Sequence, residues 1–78
     1  MAIYTVHQGR RYRATIRLGF FQSVASNQQV ADKFTEVGFT EVNVKGSGRN
    51  RVGTGLWPHP DARAEVPDEI TSIDVIEV

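Results

Sequence analysis

Apolar and polar residues alternate along two stretches of the chain, and this alternation predicts β-strands. In residues 12–18 every second side chain is apolar, while arginine and threonine occupy the positions between. Because successive side chains of a strand point to opposite faces of a sheet, this stretch predicts a strand with one buried face and one solvated, basic face. Residues 40–45 repeat the pattern, with Val42 and Val44 facing inward.

Three further segments predict strands with less regular patterns. Residues 3–6 predict a short first strand, and residues 7–9 a turn that joins it to the second strand as a hairpin. Residues 52–56 predict a strand that follows the glycine-rich turn 46–50. Residues 71–78 predict the last strand, whose apolar side chains fall on both faces. That pattern is typical of a central strand, or of one covered by a second chain.

One segment has a helical period. A single apolar stripe contains Val30, Ala31, Phe34 and Val37. Ser26 lies three residues before Gln29, which is the spacing of a capping box, and Gly38 occupies the position of a C-terminal cap. These residues predict a helix over 27–37.

The order of the elements predicts the fold class. All three prolines lie in residues 58–67, which leaves room for little more than one helical turn around 61–66. The main helix between two long strands favours a parallel pair with a right-handed crossover. The order β-α-β-β-(short α)-β therefore predicts a small α+β sandwich of ferredoxin-like type, with the helix on one face of a mostly antiparallel sheet.

Composition adds a domain count and several exclusions. A length of 78 residues supports a single domain, 1–78, and 40% hydrophobic content favours a packed fold. Valine and isoleucine total fifteen against two leucines, a ratio that favours sheet. The absence of cysteine excludes disulfides, cysteine-ligated zinc, iron–sulfur clusters and a thiol nucleophile. No signal peptide or membrane span is indicated, so a cytoplasmic protein is expected.

The even charge balance hides a division of the chain. Nine basic and nine acidic residues give a net charge of zero, but residues 1–52 carry eight of the basic and three of the acidic ones. Residues 53–78 carry one basic and six acidic residues. Such asymmetry marks either a face for an anionic partner or a basic strand that pairs with an acidic one inside the fold.

Catalytic chemistry has little support in the sequence. His7 and His59 are the only histidines; one lies in a predicted turn and the other between two prolines. Nucleophilic catalysis needs a base oriented by a third group, and no such spacing is present. A metal site would have to use His59 with Asp61, without ligand spacing. The run of glycines in residues 46–55 does not match a phosphate-binding loop, and predicts a hairpin turn followed by a bulge or a close backbone approach. The prediction is a protein that is not an enzyme, with no cofactor and no metal.

Residues 10–39 resemble the first half of the SPOR domains, which are small septal-peptidoglycan-binding modules. The resemblance rests on Leu18-Gly19-Phe20-Phe21 at the end of a strand, on the predicted helix 27–37, and on the closing Gly38-Phe39; Arg51-Val52-Gly53 is similar to a later strand of the family. It implies a small α+β sandwich and a glycan ligand.

The basic face of the second strand is the best candidate for a binding site. The candidate contacts for an anionic polymer or a glycan are Arg11, Arg13 and Arg17 on this face, and Arg49, Arg51 and Trp57, which are expected on the outer face of a neighbouring strand. Basic residues together with an aromatic ring bind single-stranded nucleic acid or glycan through charge and stacking. The alternative is a solvated face paired to the acidic half of the chain.

Two functions follow from these observations. The first is a non-catalytic interaction protein, a small assembly or accessory component of a bacterium or phage, which self-associates through a sheet edge or the last strand. The second is a binding module for an anionic polymer, either nucleic acid or peptidoglycan glycan. The expected partners are a second copy or another protein, and nucleic acid or glycan; a membrane is not expected.

Overall fold

The computed structural model describes residues 2–19 and 24–76, and in these residues it confirms a small α+β sandwich. The elements are β1 (Ala2–Val6), β2 (Arg11–Arg17), α1 (Asn27–Val37), β3 (Thr40–Ser47), β4 (Asn50–Leu56), β5 (Ala62–Val66) and β6 (Ile70–Val75). Phe20 and Phe21, which the SPOR resemblance uses, and the end of the predicted last strand lie outside the described residues. Within the described ranges, no helix has both the length and the apolar character that crossing a membrane requires.

The main sheet has four strands in the order β3-β4-β2-β6, and every pairing in it is antiparallel. β2 and β3 run in the same direction, but β4 lies between them, so the predicted parallel pair is wrong. The helix thus connects two strands across an intervening one, which is the split β-α-β arrangement. The β3–β4 hairpin turns through Gly48 and Arg49, with Gly48 at a φ of 66°. This is the left-handed region that glycine adopts without strain.

β1 and β5 form a second, two-stranded antiparallel sheet. The predicted hairpin of the first two strands is therefore wrong, and so is the predicted short helix around 61–66. Ala64 and Val66 alternate with the exposed Arg63 and Glu65, and this period of two suits pairing with β1. A six-residue interval between Pro60 and Pro67 is too short for a stable helix.

The helix has the termini that the sequence predicts. The Ser26 hydroxyl accepts a hydrogen bond of 3.1 Å from the Gln29 amide, and the Gln29 side chain accepts one of 2.8 Å from the Ser26 amide. At the other end Gly38, with a φ of 131°, donates its amide hydrogen to the carbonyls of Phe34 and Thr35. Both ends of α1 are thus closed by local sequence, as their residue types require.

The core lies between the main sheet and a layer formed by α1 together with the β1–β5 sheet. β2 contributes Tyr12, Ala14 and Ile16, whose alternation was predicted. β4 contributes glycines at this face: a Cβ at Gly53 would lie 3.3 Å from Phe34 Cε2, and one at Gly55 would lie 3.3 Å from Phe39 Cβ. Aromatic rings therefore occupy the space above the glycine backbone, which confirms the predicted close approach.

β6 lies at an edge of the main sheet, and β2 is the one described strand with which it pairs. The prediction of a central strand is therefore wrong. Ile70 is buried and Ile73 half-buried, but Val75 remains 40% exposed. The apolar residues on both faces of this segment therefore belong to an edge strand. No other described strand lies along its outer side.

Candidate functional site

One face of the main sheet is open to solvent, because both the helix and the β1–β5 sheet pack on the other. Residues directly opposite in an antiparallel pair share a face, so the strand registers define this open face. It contains Arg11, Arg13, Thr15, Arg17, Thr40, Asn43, Lys45, Ser47, Asn50, Val52, Thr54, Leu56, Ser72 and Asp74. All of them are exposed or half-buried. Among the described elements none covers this surface.

The cations of the open face are only partly neutralised. Arg11 Nη2 lies 3.0 Å from Glu41 Oε1, and Arg13 faces Asp74 on β6. Arg17 instead faces Asn50. β4, which lies next to β2 on the other side, contains no acidic residue. Within the described strands, the acidic half of the chain therefore supplies a single carboxylate, that of Asp74, to this face.

Arg17 and Lys45 form the cationic corner of the open face, beside the β3–β4 hairpin. Lys45 faces Val52, and neither cation belongs to an ion pair with any residue that the structure describes. Arg49 lies at the rim, in the hairpin turn, and its Nε donates a hydrogen bond of 3.2 Å to the Leu18 carbonyl. The sequence reasoning missed Lys45, although its place in the alternating stretch 40–45 already put it on the outer face.

Two of the predicted contact residues are buried and do not lie on the open face. Arg51 and Trp57 are each only 5% exposed, so the prediction that they share an outer face with the β2 arginines is wrong. Arg51 donates hydrogen bonds to the Gly48 carbonyl and the Asn27 side chain. The Trp57 ring packs edge-on against Phe39, with centroids 5.1 Å apart, and its Nε1 donates to the Pro60 carbonyl. The open face has no aromatic side chain among the described residues.

The side chains of His7 and Asp61 are in contact at the surface, at the end of the molecule opposite the hairpin. His7 Nδ1 lies 3.0 Å from Asp61 Oδ2, and the Gln8 amide donates to Asp61 Oδ1 at 2.8 Å. The hydrogen bond with His7 and then that from the Gln8 amide lower the pKa of Asp61. His59 packs its ring against Trp57 instead of approaching Asp61. In the described ranges no hydroxyl is hydrogen-bonded to either histidine ring, and no three residues are grouped as metal ligands.

A hollow of about 330 Å³ lies between the start of α1 and the start of β6. Its walls are mainly apolar and include Ile16, Leu18, Val30, Phe34 and Ile70. Small-molecule sites combine such walls with a few convergent polar groups that fix the ligand. Here the polar groups are Gln29, Lys33 and Glu69, and Lys33 already pairs with Glu36 at 3.6 Å.

The chain matches no protein-family model, no curated protein and no solved structure. The resemblance to SPOR domains therefore stays a prediction, and the open face is the feature from which a function can be inferred.

Proposed function

We propose that this protein is a non-catalytic binding module whose open face contacts the phosphate backbone of nucleic acid. The observation that carries the proposal is a sheet face that no described element covers, on which the cations Arg11, Arg13, Arg17 and Lys45 meet two described carboxylates, those of Glu41 and Asp74. Guanidinium and ammonium groups bind phosphate through charge-assisted hydrogen bonds. The cationic corner is the centre of the proposed site, because its two charges are available without breaking an ion pair.

The aromatic residues favour nucleic acid over glycan as the ligand. Glycans and unstacked bases are both held by exposed rings, but Trp57 and Tyr12 are buried in the core. On the described part of the open face a neutral sugar polymer would then make only hydrogen bonds, whereas a polyphosphate retains its full electrostatic attraction. Binding of this kind is independent of base sequence and falls steeply with salt. A nucleic-acid ligand would agree with the expected cytoplasmic location.

The test is a titration of a fluorescein-labelled 20-nucleotide single strand, followed by anisotropy between 20 and 150 mM NaCl. The informative variant is Arg17→Gln/Lys45→Gln. Its matched control is Arg63→Gln/Lys33→Gln, which also removes one arginine and one lysine but places both changes off the open face. The open-face variant should bind roughly tenfold more weakly and reduce the salt slope by about one per lost contact. The control should stay within about threefold of the unmodified protein.

Three results would overturn the proposal. They are an equal loss of affinity in both double variants, affinity that does not change with salt, and no binding at 20 mM NaCl. A parallel titration with purified peptidoglycan strands separates the second ligand. Binding to those strands without binding to the oligonucleotide would support the function that the SPOR resemblance implies.

A further inference from the structure

The outer edge of β6 carries backbone hydrogen-bonding groups that face away from the sheet. The Ile76 amide donates to the Arg11 carbonyl at 2.8 Å, so the backbone groups of residue 76 point toward β2. These groups alternate in direction along a strand. Residues 74 and 72 therefore also bond to β2, while Ile73 and Val75 direct their amide and carbonyl groups outward.

The two edges of the main sheet differ in how they are protected. A bulge, a lysine or a proline in an edge strand prevents a further strand from pairing with it. β3 has a register shift between Thr40 and Asn43, with Glu41 at a φ of 51°, and it also carries Lys45. β6 contains neither lysine nor proline, and its register shift lies at its start, opposite Thr15 and Ile16. Residues 72–75 thus form a regular strand, and no other described strand pairs with its outer edge.

We propose that β6 pairs antiparallel with β6 of a second copy of this chain, with Ile73 opposite Ile73 of that copy. This proposal goes beyond the nucleic-acid function and needs no ligand. The pairing is isologous, so it closes as a two-fold dimer. It joins the two four-stranded sheets into a single sheet of eight strands.

The charge of Asp74 selects the register. A two-fold axis at Asp74 would place two carboxylates directly opposite each other, which destabilises a strand pair. An axis at Val75 would pair only residues 74–76 within the described part of the chain, fewer than the five residues that pair about Ile73. An axis at Ile73 pairs residues 71–75 with 75–71 and places the Ser72 hydroxyl opposite the Asp74 carboxylate of the other copy. The apolar Ile73 side chains then meet on the inner face.

Pairing of five residues on each side makes a small interface. Stable dimers bury about 1,200–2,000 Å² in total, and one strand edge provides less than that. The dimer should therefore form at high protein concentration and dissociate on dilution. A two-fold axis perpendicular to the sheet keeps both open faces on the same side, with the two β2 strands roughly 14 Å apart, three strand spacings.

Because the chain contains no cysteine, a single introduced cysteine can form a disulfide only with the same residue of a second copy. Single variants Ser72→Cys, Ile73→Cys, Asp74→Cys and Val75→Cys are oxidised mildly at about 0.5 mM protein without nucleic acid, and disulfide-linked dimer is followed with time. In the proposed register only residue 73 faces itself, at a Cα separation of about 5.5 Å, whereas residues 74 of the two copies lie beyond the roughly 7 Å limit for a disulfide. Ile73→Cys should therefore crosslink at least fivefold faster than the others.

A second variant tests the edge without a crosslink. Val75→Pro removes an outward amide, which leaves the β2–β6 hydrogen bonds in place but prevents strand addition. In sedimentation at 0.5 mM the unmodified chain should self-associate and Val75→Pro should be a monomer. A strictly monomeric unmodified chain, fastest crosslinking at residue 74 or 75, or association that survives Val75→Pro would each overturn the proposal.

Discussion

The guanidinium of Arg51 donates a hydrogen bond of 2.8 Å from Nη1 to the side-chain oxygen of Asn27, the first residue of the helix. Its Nε donates to the Gly48 carbonyl at 3.1 Å, and Asn27 Nδ2 donates to the Gly46 carbonyl at 3.1 Å. The β3–β4 hairpin is thus fastened to the start of α1 by a buried cation. Arg51 holds the fold together at the end of the sheet where Arg17 and Lys45 face solvent.

Substitution of Arg51 should therefore change the stability of the fold, whereas substitution of Arg17 should change nucleic-acid binding. Arg51→Met leaves the Asn27 and Gly48 oxygens without their donor and should lower the free energy of unfolding by about 1–3 kcal/mol. Its oligonucleotide affinity should remain unchanged at a temperature where the variant is folded. Arg17→Gln should weaken oligonucleotide binding and leave the free energy of unfolding unchanged. Urea unfolding and anisotropy measure the two effects, and a loss of affinity in a fully stable Arg51→Met would contradict this assignment.

Gly38→Ala should destabilise the protein for two reasons. Gly38 has a φ of 131°, and a Cβ there would lie 2.9 Å from Trp57 Cζ3. Backbone strain and overpacking together should cost about 1–3 kcal/mol in urea unfolding. Gly48→Ala is the control, because Gly48 also has a positive φ but no atom of the described residues would lie within 4 Å of its Cβ. It should cost roughly 1 kcal/mol, and an equal loss in both variants would show that the Trp57 contact contributes nothing.

The contact between Asp61 and His7 should make the free energy of unfolding depend on pH in the acid range. A carboxyl group with a lowered pKa stabilises the fold above its unfolded pKa, and that contribution is lost as the pH falls through the folded pKa. Asp61→Asn should therefore be less stable than the unmodified protein at pH 6, and the difference should shrink as the pH falls below the usual pKa of 3.8. Urea unfolding from pH 2 to 6 measures this, with Glu65→Gln correcting for the change in net charge. A difference that is constant with pH would rule out the carboxylate as its cause.

The capping box offers a local test of helix stability. Ser26→Ala removes the acceptor for the Gln29 amide and should cost about 1 kcal/mol, measured by thermal unfolding. Ser26→Asn retains a side-chain acceptor and should stay within a few tenths of a kcal/mol. If both variants lost the same stability, packing of residue 26 and not its hydrogen bond would be responsible.

Local sequence was sufficient for the elements whose periods are unambiguous. The alternation of β2 and the stripe and caps of α1 are determined within about a dozen residues, so both were predicted correctly. Partner choice depends on distant segments. The turn after β1 looks like a hairpin turn, yet β1 pairs with β5, whose short alternating pattern was obscured by the flanking prolines.

The candidate site was half predictable for a related reason. On β2 the arginines alternate with apolar residues, and this places them outward. On β4 the alternation was misleading, because the inner positions hold Arg51, Gly53 and Gly55 while Val52 faces solvent. The glycines were the available indication, since a strand without side chains on one face leaves room for rings from elsewhere. The hydrogen bonds that buried Arg51 makes depend on where the helix lies relative to the β3–β4 hairpin. No local sequence pattern specifies that position.

The pairing of β1 with β5 has a consequence for how the protein is made. Residue 2 meets residue 66, and residue 6 meets residue 62, so the first strand has its partner only after some sixty further residues have been added. At about 5–20 residues per second this delay is roughly 3–12 s. Contacts so distant along the chain also slow the search for the native state. During synthesis β1 is therefore an early strand without a partner, and chaperones that hold nascent chains should encounter it before the fold can protect it.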